Sequence, residues 1–338
     1  MNCLDNFFLK VIFFSNLEII YNISNKIYIM NLLSIVVPCF NEDESVGIFL
    51  EEIQKTLKDY NFEVIYVNDG SSDNTLKYIK ELASKNSNVK YISFSRNFGK
   101  ESAIFAGLKY ASGDYICLMD ADLQHPPKLI PEMLEAVLDE GYDVAAARRV
   151  SRKGEPKIKS FFSHRFYKVF NRISDIDMVE GATDYRIMTR QVVDSVLNLP
   201  EYNRFSKGLF QWVGFDTKWI EYENIERIAG ESTWSFWGLI KYSIEGLVAF
   251  TTLPLSVSTF LGMVFSVIAF IYMLFIIIRY LIYSEAVPGY PTLICSLLLL
   301  GGIQLLSIGV LGKYLEKTYF EAKNRPIFIV QESNIDEE

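Results

Sequence analysis

Short apolar runs rich in β-forming residues alternate with amphipathic stretches through residues 32–150. Between the runs, apolar residues at helical spacing, as in Ser45–Lys58 and Thr75–Ser84, predict helices. This alternation is typical of an α/β fold, a mostly parallel sheet with helices on both faces. Ligands of such sheets bind at the carboxyl ends of the strands, beside a switch in strand order, so the residues after each strand are candidates for a binding site. The predicted strands are Leu33–Pro38, Phe62–Val67, Val89–Ser93, Tyr115–Met119 and Asp143–Ala147.

Two long runs without a charged residue follow later in the chain, at Leu255–Ile278 and Ala286–Gly312. Each is long enough to cross about 30 Å of hydrocarbon as a helix that rises roughly 1.5 Å per residue. Two buried helices in a large soluble core are the alternative, which two runs above about 18 residues disfavour. We therefore expect transmembrane helices at 253–283 and 291–313, joined by a tight turn containing Pro and Gly.

The charges beside these runs predict their orientation. Basic residues follow the second run, whereas the turn between the runs carries only Glu285. Because cytoplasmic segments carry the excess of Lys and Arg, this bias predicts an integral membrane protein with both termini in the cytoplasm. Arg279 is discordant, and its long side chain can snorkel to the outer interface. The basic residues after the second run are Lys313, Lys317, Lys323 and Arg325.

Composition and charge narrow the class of protein further. Half of the 338 residues are apolar, so a folded core is expected. The formal net charge of −8 argues against nucleic acid as a partner, since nucleic-acid binding needs a basic face. The cysteines lie far apart without a Cys-x-x-Cys pair, which indicates a reducing cytosol and neither a metal site nor a disulfide. They are Cys3, Cys39, Cys117 and Cys295.

Polar residues that a nucleotide could use follow the first two predicted strands. The first strand runs into Phe40, Asn41 and Glu42, and the second into the polar run 68–73. For the second, a plain turn that caps the next helix is an equally good interpretation. Asp73 is a good N-cap residue, and Gly70 allows a positive φ.

Two carboxylates lie one residue apart directly after the fourth predicted strand, at Asp120 and Asp122. A solvated loop tolerates acids, but two carboxylates at the end of an apolar strand repel each other unless a cation neutralises them. Their hard oxygen ligands suit Mg²⁺ or Mn²⁺, which commonly bind one or two carboxylates together with substrate phosphates. The spacing therefore predicts a divalent metal site in this loop.

Six motifs occur in a fixed order from about residue 32 to the C-terminal part of the chain. In this order and spacing they resemble family 2 glycosyltransferases of the GT-A fold. Within that family they are most similar to the polyisoprenyl-phosphate glycosyltransferases, the dolichol-phosphate mannose synthase and bactoprenol glucosyltransferase type. The motifs are residues 34–42 (SIVVPCFNE), 67–73 (VNDGSSD), 94–100 (FSRNFGK), 120–124 (DADLQ), 184–186 (DYR) and 227–232 (RIAGES).

The resemblance implies roles for particular residues of this chain. Around the base and ribose of a nucleotide sugar it places Pro38, Phe40, Glu42, Val67 and Asp69, with Asp120 and Ala121 also in the nucleotide-sugar site. The implied metal ligands, on the diphosphate, are Asp120, Asp122 and Gln124. Arg148 and Arg227 would contact phosphates, since a planar guanidinium binds them in a bidentate manner. Related sequences often have a lysine after the Gly-x-Ser element, where this chain has Thr233, so one phosphate contact is expected to be missing or supplied elsewhere.

The implied reaction is transfer of one sugar from a nucleotide-diphosphate sugar to a polyisoprenyl phosphate, with inversion at the anomeric carbon. The implied catalytic residues are Asp122 and Asp184. A phosphate monoester has a second pKa near about 6, so the acceptor needs little deprotonation, and Asp184 is as well suited to positioning or electrostatics. A helix N-cap, or an ion pair with Arg186, is the alternative role of Asp184. The donor stays open between UDP-glucose and GDP-mannose types, and a homo-oligomer also stays open.

Two further segments are candidates for the membrane surface. Residues 157–173 combine apolar positions at helical spacing with interleaved Lys and Arg, which is typical of a helix in the headgroup plane; packing against the sheet is the alternative. Within it, Arg165 and Lys168 are the candidates for the acceptor phosphate. Residues 235–252 have the aromatic content of an interfacial helix.

These predictions divide the chain into an N-terminal extension (1–29), a catalytic domain (30–234), an interfacial helix (235–252), two transmembrane helices and a cytoplasmic tail (314–338). The extension lacks the features of a signal peptide, and translation starting at Met30 is favoured over an extra interfacial segment. A processive polysaccharide synthase is disfavoured because the chain lacks a Gln-x-x-Arg-Trp element. A non-catalytic membrane scaffold or flippase partner is disfavoured because it would leave Asp120 and Asp122 without a function. The apolar runs argue against a soluble nucleotidyltransferase.

Overall fold

A computed structural model describes residues 31–150, 168, 170–174, 176–199, 201–223, 248–283 and 289–335. Its centre is an eight-stranded sheet with the order β7-β5-β6-β4-β1-β2-β3-β8. The strands are β1 (Leu33–Cys39), β2 (Phe62–Asn68), β3 (Val89–Phe94), β4 (Tyr115–Leu118), β5 (Val144–Arg149), β6 (Ala182–Thr189), β7 (Thr217–Tyr222) and β8 (Val330–Ser333).

Helices follow most of the strands. They are α1 (Val46–Thr56), α2 (Thr75–Lys85), α3 (Lys100–Tyr110), α4 (Ile130–Leu138), α5 (Arg190–Leu197), α6 (Ser206–Trp212), α7 (Leu253–Tyr283) and α8 (Tyr290–Lys323), with a 3₁₀ turn at Pro127–Leu129. Two buried apolar clusters lie between the helices and the sheet. The predicted α/β architecture, with apolar strands covered on both faces, is therefore confirmed.

The strand order places a topological switch at β1. β1 pairs in parallel with β2 on one side and with β4 on the other, and β2 pairs in parallel with β3. The carboxyl ends of β1, β2 and β4 therefore meet at one edge of the sheet, where ligands of α/β sheets bind. β6 pairs antiparallel with β4, so the beginning of β6 lies at this same edge.

The five predicted strands are present, with ends that differ by one or two residues. The fourth ends at Leu118 instead of Met119, and the fifth runs from Val144 to Arg149. The pattern did not predict β6, β7 or β8. Charged residues such as Asp184, Arg186 and Glu221 interrupt the apolar alternation of β6 and β7, and β8 is a four-residue edge strand.

Two helices are long and apolar enough to cross a membrane by length and composition, Leu253–Arg279 and Ser296–Lys323. α8 continues beyond the predicted span 291–313, to Lys323. The first charges after an apolar run mark a change of surroundings and do not end a helix. α8 ends where Asn324 adopts a left-handed conformation, with φ of 45°.

Residues 314–323 of the predicted tail belong to α8. After α8 the chain returns to the sheet, and β8 pairs antiparallel with β3. Phe328 stacks on Phe94 with ring centroids 5.0 Å apart, and Lys80 forms an ion pair with Glu332 at 2.6 Å. The C-terminal segment thus joins α8 directly to the central sheet.

Substituting Phe328 by Ala should destabilise the sheet domain, because Phe328 is partly buried against the core cluster that contains Phe94. We expect a loss of about 2 kcal/mol, a fall in Tm of roughly 5 °C for a domain of this size. The matched control is Ile329→Ala, since the neighbouring Ile329 is 52% exposed. Thermal unfolding of the detergent-solubilised protein measures both. Equal Tm values for the two variants would show that the C-terminal segment adds no stability.

Candidate active site

The loop after β4 and the beginning of β6 bring two predicted site residues together. Leu118, the last residue of β4, pairs with Arg186 of β6. The strands are antiparallel, so the position two residues after Leu118 lies opposite the position two residues before Arg186. These positions are Asp120 and Asp184. The sheet register therefore unites two acids that lie 64 positions apart in the sequence.

Lys100, the first residue of α3, lies between these two carboxylates. Its Nζ is 2.7 Å from Oδ1 of Asp120 and 2.8 Å from Oδ2 of Asp184. Burial alone would lower the pKa of the Lys100 ammonium, but the two carboxylates hold that pKa above its ordinary value. Burial alone would raise the pKa of Asp184, but Lys100, followed by Lys207, holds it well below its ordinary range. The site therefore pairs a permanent cation with ionised carboxylates.

Asp69, directly after β2, holds the backbone that leads into Lys100. Its two carboxylate oxygens accept hydrogen bonds from the backbone N–H groups of Phe98 (2.6 Å) and Gly99 (2.9 Å). Burial raises the pKa of Asp69, and these two hydrogen bonds offset part of that rise. Gly70 has φ of +64°, and a Cβ there would lie 2.4 Å from the backbone carbon of Arg96. The polar run after β2 therefore holds the 94–100 motif in place.

The acidic loop is held by a buried histidine that the sequence interpretation missed. Nδ1 of His125 accepts a hydrogen bond from the Asp120 N–H at 3.2 Å, and its ring stacks on Tyr185 at 5.1 Å. Burial lowers the pKa of His125, which favours the neutral ring that this acceptor role requires. Leu123 has φ of 57°, which is a strained backbone conformation for a branched residue. Functional loops often retain strain of this kind. Asp122, 6% exposed, accepts the Gln124 N–H at 3.1 Å.

The residues after β1 lie beside this loop. Phe40 is 45% exposed at the sheet edge and offers a flat apolar surface, and Pro38 is half-buried. The carboxylate of Glu42 accepts the hydroxyl hydrogen of Ser45 at 2.7 Å. Val67 is fully buried, so its side chain packs in the apolar core beneath this edge of the sheet.

Asp73 stabilises the start of α2. Its carboxylate accepts hydrogen bonds from the N–H (3.0 Å) and the hydroxyl (2.6 Å) of Thr75, the first residue of the helix. The interpretation of this end of the polar run as a helix start is therefore confirmed. The other end, at Asp69, instead hydrogen-bonds the backbone of the 94–100 motif.

The structure excludes the helix-cap role of Asp184 and places a different cation, Lys100, at its carboxylate. The residue lies inside β6, so it is not a helix cap. Its carboxylate pairs with Lys100, while the fully buried Arg186 donates to the backbone carbonyls of Thr183 and Asp184. The Arg186 guanidinium lies over the ring of Phe210 at 4.0 Å.

Several predicted site residues are not joined to this cluster. Arg148 forms an ion pair with Glu221, its neighbour across the β5–β7 pairing. Lys168 is exposed, and Ala121 is buried, so only the backbone of Ala121 is available to a ligand. The remaining predicted residues and segments lie outside the described residues. They are Arg165, Arg227, the extension 1–29, residues 235–247 and most of the segment 157–173.

The side chains after β4 fit a divalent cation in an open site. Among the described residues, no three Asp, Glu, His or Cys side chains form a closed metal cluster. The loop offers two carboxylates and the Gln124 amide, and Mg²⁺ typically takes one or two carboxylates and completes its shell with phosphate oxygens and water. Asp120 already binds a cationic group, the Lys100 ammonium. The donor set therefore suits a metal that arrives with a diphosphate.

The fold and the family comparison together identify a glycosyltransferase. The model for Glycosyl transferase family 2 matches residues 34–197. Because relatives more than 40% identical also match about nine-tenths of the chain, the chain belongs to glycosyltransferase family 2. Its catalytic domain has the GT-A fold, as expected.

Two relatives illustrate the similarity. The chain is 42% identical over 301 residues to a prophage bactoprenol glucosyl transferase homolog of Escherichia coli (strain K12), with 88% of this chain and 98% of the relative covered. It is 42% identical over 304 residues to the SfII prophage-derived bactoprenol glucosyl transferase of Shigella flexneri, with 89% and 98% covered. Among solved structures, glucosyl-3-phosphoglycerate synthase of Mycobacterium tuberculosis, crystallised with Mn²⁺ and UDP-glucose, has a TM-score of 0.45 and 17% identity over 65% of this chain and 78% of that chain.

Proposed function

We propose that this glycosyltransferase moves one sugar from a nucleotide-diphosphate sugar to a polyisoprenyl phosphate at the cytoplasmic face of a membrane. The observation that carries the proposal is the union, in one chain, of the Lys100, Asp120 and Asp184 cluster with two long apolar helices. Relatives named bactoprenol glucosyl transferases match across both parts. A site for a soluble donor next to apolar helices suits a lipid acceptor.

The donor would lie across the switch in the sheet. In this arrangement Phe40 offers its exposed ring to the base, and Pro38 and Glu42 line the same edge. Asp69 and Val67 support that edge from β2. Arg148 and Arg227 are the proposed phosphate contacts, and Arg148 would exchange its partner Glu221 for a phosphate.

The proposed metal ligands are Asp120, Asp122 and Gln124, for Mg²⁺ or Mn²⁺. When bound, such a cation stabilises the negative charge that develops on a leaving diphosphate. The protein itself holds the carboxylates in place. His125 accepts a hydrogen bond from the Asp120 N–H, and the Gln124 N–H donates to the Asp122 carboxylate.

Asp184 is assigned an electrostatic role. The Lys100 ammonium holds the pKa of the Asp184 carboxyl well below its ordinary range, and such a carboxylate is a weak base. The acceptor does not require a strong base, since a phosphate monoester is largely ionised at neutral pH. Asp184 would fix the ammonium of Lys100, which in turn faces the developing negative charge.

The acceptor side is proposed from the sequence pattern. Arg165 and Lys168 would bind the lipid phosphate, and segments 157–173 and 235–252 would lie at the membrane surface. The basic residues in the last turns of α8 and directly after it support a cytoplasmic location of the catalytic domain and both termini.

Membranes that contain the protein should convert a labelled nucleotide sugar and added polyisoprenyl phosphate into a single-sugar lipid, and excess chelator should remove at least about nine-tenths of the activity. The label in the organic phase measures this product, and readdition of Mg²⁺ or Mn²⁺ should restore it. A polymeric product would indicate a processive synthase. The absence of any product with a full donor panel would favour a non-catalytic membrane partner.

A further inference from the structure

The residues between α5 and α6 link the end of α8 to the active-site helix α3. We call residues 201–205 the connecting loop. It precedes α6, and contacts on its two sides reach different parts of the molecule. No role for this loop follows from the motifs, which lie outside it.

On one side, the connecting loop contacts the last turn of α8. The Glu321 carboxylate accepts hydrogen bonds from the backbone N–H groups of Tyr202 (2.9 Å) and Asn203 (3.4 Å). The ring of Tyr202 stacks on Phe320, with centroids 5.7 Å apart and planes 11° apart. One exposed carboxylate therefore satisfies two loop amides that have no helix or strand of their own.

On the other side, the loop leads into a hydrogen bond with α3. The N–H of Ser206 donates to the Glu101 carboxylate at 2.8 Å, and the Ser206 hydroxyl donates to the same oxygen. Glu101 directly follows Lys100. The buried Arg204 fixes the loop between these ends, because its guanidinium donates to carbonyls at the end of α5 and lies 4.4 Å over the ring of Phe105 on α3.

From these contacts we infer that Glu321 is a positioning residue for Lys100, acting through the connecting loop, Ser206 and Glu101. A rigid link of this kind would hold the Lys100 ammonium between Asp120 and Asp184 in a position set by the long helix α8. The inference rests on the proposed transferase function, since Lys100 acts there on the developing charge. Small displacements of such a group have large effects, because a misplacement of about 1 Å can cost as much as 10²-fold in rate.

The test is the kinetics of full-length Glu321→Ala and Glu321→Gln in membranes or detergent. For Glu321→Ala we expect kcat to fall about 10-fold while KM for the nucleotide sugar changes less than about 2-fold. Glu321→Gln should restore most of kcat, since its amide oxygen can accept the same two N–H groups. Glu316→Ala is the matched control, an exposed acid on the same helix that pairs with Lys313, and it should keep wild-type kcat.

A double-mutant cycle separates positioning from a general loss of stability. If the link operates, Glu321→Ala and Ser206→Ala will be non-additive, and the second substitution will lower kcat less than about 2-fold once the first is present. Additive effects, a failure of Glu321→Gln to restore kcat, or a Glu321→Ala variant as active as Glu316→Ala would each overturn the inference. An inactive wild-type protein would instead contradict the proposed function.

Discussion

Asp122→Asn should abolish sugar transfer while the protein stays folded and in the membrane fraction. The change removes one negative charge from the proposed metal ligands, and we expect kcat to fall by at least about 10³-fold. Asn has nearly the same shape, and its amide oxygen can still accept the Gln124 N–H that holds the loop. Initial rates with saturating nucleotide sugar and Mg²⁺ measure the loss, and thermal unfolding checks the fold.

The control for this charge removal is Asp59→Asn, which removes a highly exposed carboxylate next to Lys58 and should leave the rate unchanged. Near-normal turnover of Asp122→Asn would show that the metal ligands are wrongly assigned. A large fall in Tm for Asp122→Asn, with activity lost only in proportion to unfolded protein, would show that Asp122 is structural.

Lys100→Met should cost about 10²-fold in kcat/KM and should also change the pH dependence. Lys100 lowers the pKa of both Asp120 and Asp184 in the wild-type protein. Without the ammonium both pKa values rise, so the carboxylates become protonated at a higher pH than in the wild type. The acid limb of the kcat/KM profile should therefore move to higher pH, and Lys100→Arg should keep it close to the wild-type position.

The matched control is Lys109→Met, an exposed lysine on the same helix α3, for which rate and profile should stay as in the wild type. A Lys100→Met profile that keeps the wild-type acid limb would contradict the electrostatic role assigned to Asp184. It would also indicate that the ammonium is not needed to keep these carboxylates ionised.

The central strands could be predicted because their apolar runs are buried on both faces. β1, β2 and β4 carry almost uninterrupted apolar sequences, and the predicted starts of all three agree with the structure. β6 escaped prediction because Asp184 and Arg186 belong to it. The Asp184 carboxylate is satisfied by Lys100 of α3, and Arg186 donates to carbonyls of its own strand and lies over the ring of Phe210. β8 escaped because its pairing depends on α8 returning the chain to the edge of β3.

The candidate site was only partly visible in the sequence for a similar reason. Only Ala121 separates Asp120 from Asp122 along the chain, so their spacing alone indicated a cation. Lys100 lies 20 positions from Asp120 and 84 from Asp184, and only the fold brings the three together. Lys100 is the last residue of the 94–100 motif, so the sequence marked it as a candidate, but the pattern did not specify its role. His125 and Glu321 act through backbone hydrogen bonds, which no residue pattern specifies.

The most direct test of polyisoprenyl-phosphate glycosylation is the mass of the lipid product formed by the purified protein. Polyisoprenyl phosphate, Mg²⁺ and a panel of nucleotide-diphosphate sugars would be incubated with wild type and Asp122→Asn. We predict that one donor gives a lipid heavier by a single sugar residue, with wild type only. A lipid carrying several sugars, a product without lipid, or equal product from Asp122→Asn would contradict the assignment.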